Sequence, residues 1–197
     1  MKLSSITVST IACLLLAAAS IALAQDKEAR KYPSGEPAII TRDYIQDELK
    51  LSDDQKHKLD KTSPDFQKVL DSHSQEKTWA FVEETLSAEQ LRRFEQLELQ
   101  HEGPPALSRP EIVKKLLITG EQQKQFTGLI QEMKKTLEPL IKEAKSAANP
   151  QEMEKMRQEV LKLRQDCQGK MEAFMSDAQK KQWQEMLGKP FDTLRHH

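Results

Sequence analysis

Leu51-Ser52-Asp53-Asp54-Gln55 is the stretch whose reading decides the fold. An apolar residue precedes a hydroxyl residue, and a Gln follows three residues after the hydroxyl. This is a helix start. The Ser side chain accepts from the amide three residues on, and the Gln side chain reaches back to the Ser amide. The two aspartates fall in the first turn, where the helix dipole favours negative charge. The same box returns at Leu86-Ser87-Ala88-Glu89-Gln90, Ile118-Thr119-Gly120-Glu121-Gln122 and Met175-Ser176-Asp177-Ala178-Gln179. A fifth start, Leu107-Ser108-Arg109-Pro110-Glu111, uses Glu in place of Gln.

The boxes are spaced as a pair of pairs. The register that lays Gln55 on Gln122 also lays Ile45, Leu49 and Leu51 on Ile112, Leu116 and Ile118. The register that lays Gln90 on Gln179 puts Phe94 on Trp183 and Leu97 on Met186. This self-similarity predicts an all-α fold made by tandem duplication of a helical-hairpin unit. The halves are 41–105 and 106–191, each with a lead helix, a hairpin and a closing helix. The second half is longer between its boxes by about three helical turns per arm.

That longer hairpin is the clearest element. Its first arm runs from Thr119 to about Ala147, turns at Ala148-Asn149-Pro150, and returns to about Phe174. Phe126, Leu129, Ile130, Met133, Leu137, Leu140, Ile141 and Ala144 step along one arm mostly by threes and fours. Met153, Met156, Val160, Leu163, Cys167, Met171 and Phe174 do so along the other, close to a coiled-coil seam. Pro139 is expected to kink the first arm and not to end it. The shorter hairpin is open to two readings, continuous arms or a break near Ser72–Ser74. Ser63-Pro64 opens a helix there with Pro in its first turn. Gly103-Pro104-Pro105 and Gly188-Lys189-Pro190 are stop signals.

Composition agrees and excludes. Glu, Lys, Gln, Leu and Met are good helix formers. Aromatic residues are 5% of the chain and there are 6 glycines, a poor supply for sheet faces or glycine-lined nucleotide sites. Lys and Arg number 30 against 31 Asp and Glu, so the chain lacks the basic surplus of a general nucleic-acid binder.

Residues 1–24 read as a removable leader. Lys2 precedes an apolar run from Ile11 to Ala19, and Ala22-Leu23-Ala24 offers a small-residue cleavage site before Gln25. The run is too short to serve comfortably as a membrane anchor, and Thr10-Ile11-Ala12 before Cys13 is a poor lipidation signal. The expected product is periplasmic or secreted, without stable membrane insertion. Its only cysteine is Cys167, so no internal disulfide can staple it. Residues 25–40, with Tyr32-Pro33-Ser34-Gly35-Glu36-Pro37, are expected to form a flexible linker.

Repeated Leu-Ser/Thr-x-x-Gln boxes in an exported, charged, helical chain resemble the LTXXQ-motif family of periplasmic proteins. That family includes the Spy and CpxP type of stress-related, ATP-independent chaperone and adaptor, and a zinc-responsive branch. The resemblance covers about Leu51 to Leu187 at the level of motifs. Family members typically carry two boxes on a small curved helical dimer, and this chain carries four. The resemblance implies polypeptide partners held on an amphipathic helical surface, with no enzymatic activity and no cofactor.

The residues themselves show no catalytic constellation. There is no Gly-x-Ser-x-Gly turn, no phosphate-binding glycine loop and no His-Glu-x-x-His pair. Cys167 lies on the apolar stripe and reads as a small core residue. Asp53, His57 and Asp60 fall at i, i+4 and i+7 on one expected helix face, where oxygen and imidazole ligands could meet. Lys56, Lys58 and Lys61 crowd the same turns, so we assign no metal site there. The Met153–Met156 pair is too sparse for copper. The candidate polypeptide-binding residues are Leu140, Ile141, Ala144, Met153 and Met156, at the hairpin end that the shorter half cannot reach. Such an apolar end is either a client surface or the seam of a homodimer. The remaining alternatives are a structural helical module and a periplasmic metal-binding protein.

Overall fold

The computed structural model describes residues 33–146 and 149–191, with side chains left out at 144–146 and Pro150. The expected leader, its cleavage point between Ala24 and Gln25, and His196–His197 lie outside the described residues. The fold is all-α. Among the described residues nine α-helices and two 3-10 turns follow one another, and no strand occurs. The chain divides into two compact units, one of residues 33–102 with 184–191, the other of Gly103–Trp183.

The first unit opens with a 3-10 turn, Pro37–Thr41, followed by α1 (Asp43–Glu48), α2 (Asp53–Lys58), α3 (Pro64–Asp71), α4 (Gln75–Thr85) and α5 (Ala88–Glu102). Its core gathers Ile39, Ile40, Ile45, Leu59, Trp79 and Phe94, among others. The opening turn replaces the linker expected over 25–40 in its last residues, 37–40, while 25–32 lie outside the described residues. Two prolines and a glycine do forbid an α-helix there, but they permit a 3-10 turn, and that turn buries Ile39 and Ile40 completely enough to make them core. The Glu36 amide donates to the buried Glu98 carboxylate at 2.9 Å and ties the entry of the turn to α5.

The short hairpin follows the broken reading. α3 stops at Asp71, His73 takes a left-handed φ of 50°, and the Ser74 hydroxyl caps α4 by accepting from the Lys77 amide. Residues 184–191 return to the same unit. Gln100 Nε2 donates to the Leu187 and Lys189 carbonyls at 2.6 and 2.9 Å, and Phe191 N donates to Gln100 Oε1 at 2.8 Å. Gly188 has a φ of 64°, the left-handed exit that its place after a helix requires.

The second unit starts with its own 3-10 turn, Pro104–Ser108, then α6 (Pro110–Lys115), α7 (Gly120–Ser146), α8 (Pro150–Ala173) and the start of α9 (Asp177–Leu187). α7 and α8 form the long antiparallel hairpin, α7 passing through Pro139 without ending. Asn149 starts α8, its side chain accepting from the Glu152 amide at 2.9 Å.

The two units repeat one pattern of bonds at matched positions. Both lead helices end in the same motif. Leu51 N donates to Gln46 O and Lys50 N to Asp47 O; Ile118 N donates to Val113 O and Leu117 N to Lys114 O. This is the Schellman arrangement, with Lys50 and Leu117 at φ of 50° and 52° where glycine is usual.

All four expected Gln boxes close in both directions. The Ser52, Ser87, Thr119 and Ser176 hydroxyls accept from the Gln amides at 3.2–3.3 Å, and each Gln Oε1 accepts from the cap amide at 2.8–3.0 Å. The Gln side chains then pair with each other. Gln55 Nε2 donates to Gln90 Oε1 at 2.8 Å, and Gln90 Nε2 donates back to Gln55 Oε1 at 3.1 Å. Their remaining donors go to the Thr85 and Leu49 carbonyls at 2.9 and 3.3 Å. In the second unit Gln122 and Gln179 exchange bonds at 2.9 and 3.1 Å, and donate to the carbonyls of Phe174 and Leu116 at 2.7 and 3.2 Å. Each amide uses both donors and both acceptor sites, its full complement, and Gln179 shares one N–H between the Leu116 and Leu117 carbonyls.

The fifth start is a correction. Ser108 does not cap α6. It is the last residue of the 3-10 turn, Arg109 takes the cap position without a side-chain cap bond, and the buried Ser108 hydroxyl has no partner among the described residues. Pro110 in the first helical position already removes one of the amides that a cap would serve.

Two substitutions test this arrangement. Gln90→Glu keeps the cap acceptor but loses both donors and sets a carboxylate against two oxygens. It is expected to destabilise by about 2 kcal/mol at neutral pH. The introduced carboxyl has a folded-state pKa above its unfolded one. Its protonated form therefore stabilises at low pH, and that stability is lost as pH rises through the folded value. Urea unfolding should place the variant closer to wild type near pH 4 than near pH 7. Ser108→Ala should leave the urea midpoint unchanged or raise it, whereas Ser52→Ala costs about 1 kcal/mol.

Candidate functional site

The long hairpin carries the candidate surface, and the second Gln pair positions it. Gln122 sits in the first turn of α7, and the carbonyl it holds belongs to Phe174, the residue that closes α8. Both arms are thus tied together at their base, and α7 extends about 40 Å from it.

Burial along the arms changes with height. On α7, Phe126, Ile130, Met133 and Leu137 are buried, but Leu140 and Ile141 are only half-buried. On α8, Met171, Cys167 and Val160 are buried, Leu163 among them is half-buried, and so are Met156 and Met153 toward the turn. The apolar stripe therefore continues toward the turn with its last residues on both arms only half-covered. Of the five residues expected to bind polypeptide, four stand on this half-covered end. The fifth, Ala144, is part of α7, and its side chain lies outside the described ones, as do residues 147 and 148 altogether.

Charged side chains frame the apolar end. Glu154 lies next to Met153, and Arg157 next to Met156. Arg157 donates from Nε and Nη2 to the two Glu154 oxygens at 2.8 and 2.6 Å. These bonds, with one from Gln158, hold the Glu154 carboxyl down to about 2. Lys142 and Glu138 pair on α7 at 3.6 Å. The Glu154 carboxylate therefore stays ionised through the ordinary pH range.

Cys167 is a core thiol. It is 5% exposed, its Sγ lies 3.9 Å from the Leu129 carbonyl, and burial pushes its pKa up against the pull of Lys170 and Arg164. Low exposure and the raised pKa both work against a thiolate, the reactive form.

The Asp53, His57 and Asp60 arrangement does not assemble. α2 ends at Lys58, so Asp60 lies beyond the helix, where its carboxylate accepts from the Thr62 amide and hydroxyl. Those bonds hold Asp60 below the usual carboxylate range. Among the described residues no three His, Cys, Asp or Glu side chains are grouped to hold a metal ion. No described helix is long and apolar enough to cross a membrane.

Compared with known proteins, the chain matches no family model, no curated protein and no solved structure.

The thiol offers a direct check on the hairpin seam. Cys167 should react slowly with an aromatic disulfide reagent in the native protein, and at the rate of a free thiol once the chain is unfolded in urea. Rapid native labelling would show that the seam opens.

Proposed function

We propose that this protein is an exported, ATP-independent chaperone-like or stress-adaptor protein that holds polypeptide on the end of its long helical hairpin. One observation carries this reading. Leu140, Ile141, Met153 and Met156 continue the buried stripe of the hairpin but are themselves only half-covered. Flexible thioethers and aliphatic side chains adapt to varied apolar segments. The surrounding Glu154, Arg157, Glu138 and Lys142 keep the end hydrated and supply polar contacts to a bound chain. No covalent step or cofactor is required for such holding. The leader over residues 1–24 supports action outside the cytoplasm, and the repeated boxes support descent by duplication within the LTXXQ-type proteins that the chain resembles.

The test is suppression of aggregation. Added in stoichiometric amounts to a denatured client, the protein should reduce light scattering without nucleotide. Ile141→Glu with Met156→Glu should abolish that effect while the helical signal and the melting midpoint remain close to wild type. Unfolding of the double variant would assign these residues to the core and end the proposal. Conversion of a dimer to a monomer, with no change in client protection, would make this end a seam between copies.

A further inference from the structure

The repeated scaffold allows one unit to serve as the control for the other, and they differ at one corner. Lys50 and Thr85 of the first unit match Leu117 and Phe174 of the second. Asp47 and Glu48 match Lys114 and Lys115. In the first unit the corner is self-paired. Asp47 binds Lys56 Nζ at 2.8 Å, and Glu48 binds Arg93 Nη2 at 2.6 Å. The positions that match Lys56 and Arg93 are Gln123 and Gln182, both uncharged. Lys114 and Lys115 are exposed and, among the described residues, have no ion-pair partner.

Between these lysines and α7 stands Leu117, 80% exposed, and Phe174 is 44% exposed. The second Gln pair brings the two together. Gln179 Nε2 donates to the Leu117 carbonyl at 3.3 Å, Gln122 Nε2 donates to the Phe174 carbonyl at 2.7 Å, and the two amides are bonded to each other. Folding does not account for Leu117. Its left-handed backbone disfavours any residue with a β-carbon other than Asn or Asp, and its side chain contributes little to a core. Gly or Asn would be the stabilising choice, and the first unit places a lysine there.

We propose that this corner docks the protein reversibly on an anionic lipid surface. Leu117 and Phe174 enter the boundary between headgroups and acyl chains, and Lys114 and Lys115 lie among the phosphates. Charge selects the occupant, since Lys114 and Lys115 stand unpaired just before Leu117, whereas of the acids at the neighbouring helix starts, Glu121 and Asp177, the latter is paired with Lys180. Shape selects between anionic occupants. Peptide ligands add to a strand edge or fill a groove, whereas Leu117 projects from a tight turn. A lipid interface closes around a projecting side chain. Two lysines and two apolar side chains make a weak, salt-sensitive attachment, apart from the hairpin end and independent of what that end binds.

The test uses the chain beginning at Gln25, which contains every described residue and excludes the apolar leader. It is sedimented with vesicles of phosphatidylglycerol and phosphatidylcholine in equal parts, and with vesicles of phosphatidylcholine alone. Binding is expected to the first at low salt, with release as salt rises, and not to the second. Leu117→Asn with Phe174→Thr should weaken binding about tenfold or more, with an unchanged or raised melting midpoint because Asn suits the left-handed turn. Lys114→Gln and Lys115→Gln should each weaken it about fivefold. Equal binding to both vesicle types, no binding to either, or variants that sediment like wild type would overturn the proposal. So would capture of an acidic, leucine-containing peptide without vesicles, lost in the same variants, since the corner would then belong to a protein partner.

Discussion

The fold depends on what becomes of the polar groups at helix ends. Each unit brings two helix starts and two helix ends to one place, where unpaired amides face unpaired carbonyls. A pair of glutamines resolves this. In the first unit Gln55 and Gln90 bond to each other, to the amides of Ser52 and Ser87, and to the carbonyls of Thr85 and Leu49. In the second, Gln122 and Gln179 serve Thr119, Ser176, Phe174 and Leu116 in the same way. Glu would satisfy a capping box equally well but has no donor for the carbonyls or for its partner. The amide is therefore a consequence of the junction and not of the cap.

The junctions match, so the different reach of the hairpins comes from the chain between them. α7 and α8 leave a fixed base and run without interruption to residues 146 and 150, supported by their own apolar seam. In the first unit the corresponding path breaks after Lys58 and again at Ser72–Ser74, so α2, α3 and α4 fold over a compact core around Phe66, Trp79 and Val82. One junction thus supports both a closed unit and a projecting arm. The projecting arm holds the half-covered apolar end, and its base holds the exposed Leu117 and Phe174.

Much of this was legible in the sequence. Capping bonds span three residues, so Ser52 with Gln55 and its three counterparts could be read directly. The hairpin ends were legible because Asn149-Pro150 interrupts two long apolar stripes. Cys167 was readable as core from its place on such a stripe. Other features were not. Pro33-Ser34-Gly35-Glu36-Pro37 argues against an α-helix, and nothing local shows that a 3-10 turn will bury Ile39 and Ile40. Ser108 has the spacing of a cap, but the turn before it takes the residue that should have been the cap. Lys50 and Leu117 carry no glycine signal for their left-handed turns, because the following Leu51 and Ile118 must be buried and the backbone bends to deliver them.

By itself, then, the sequence determined the helices, their starts and the periodicity of their apolar faces, since these follow from interactions within a turn or two of the chain. Tertiary structure alone decided that the box glutamines pair, because Gln55 meets Gln90, and Gln122 meets Gln179, only after the intervening hairpin has closed. It also decided where burial stops. Leu137 and Leu140 have the same side chain and share one apolar stripe, yet the first is buried and the second half-exposed. Covering depends on what the folded chain brings alongside, which no local pattern contains.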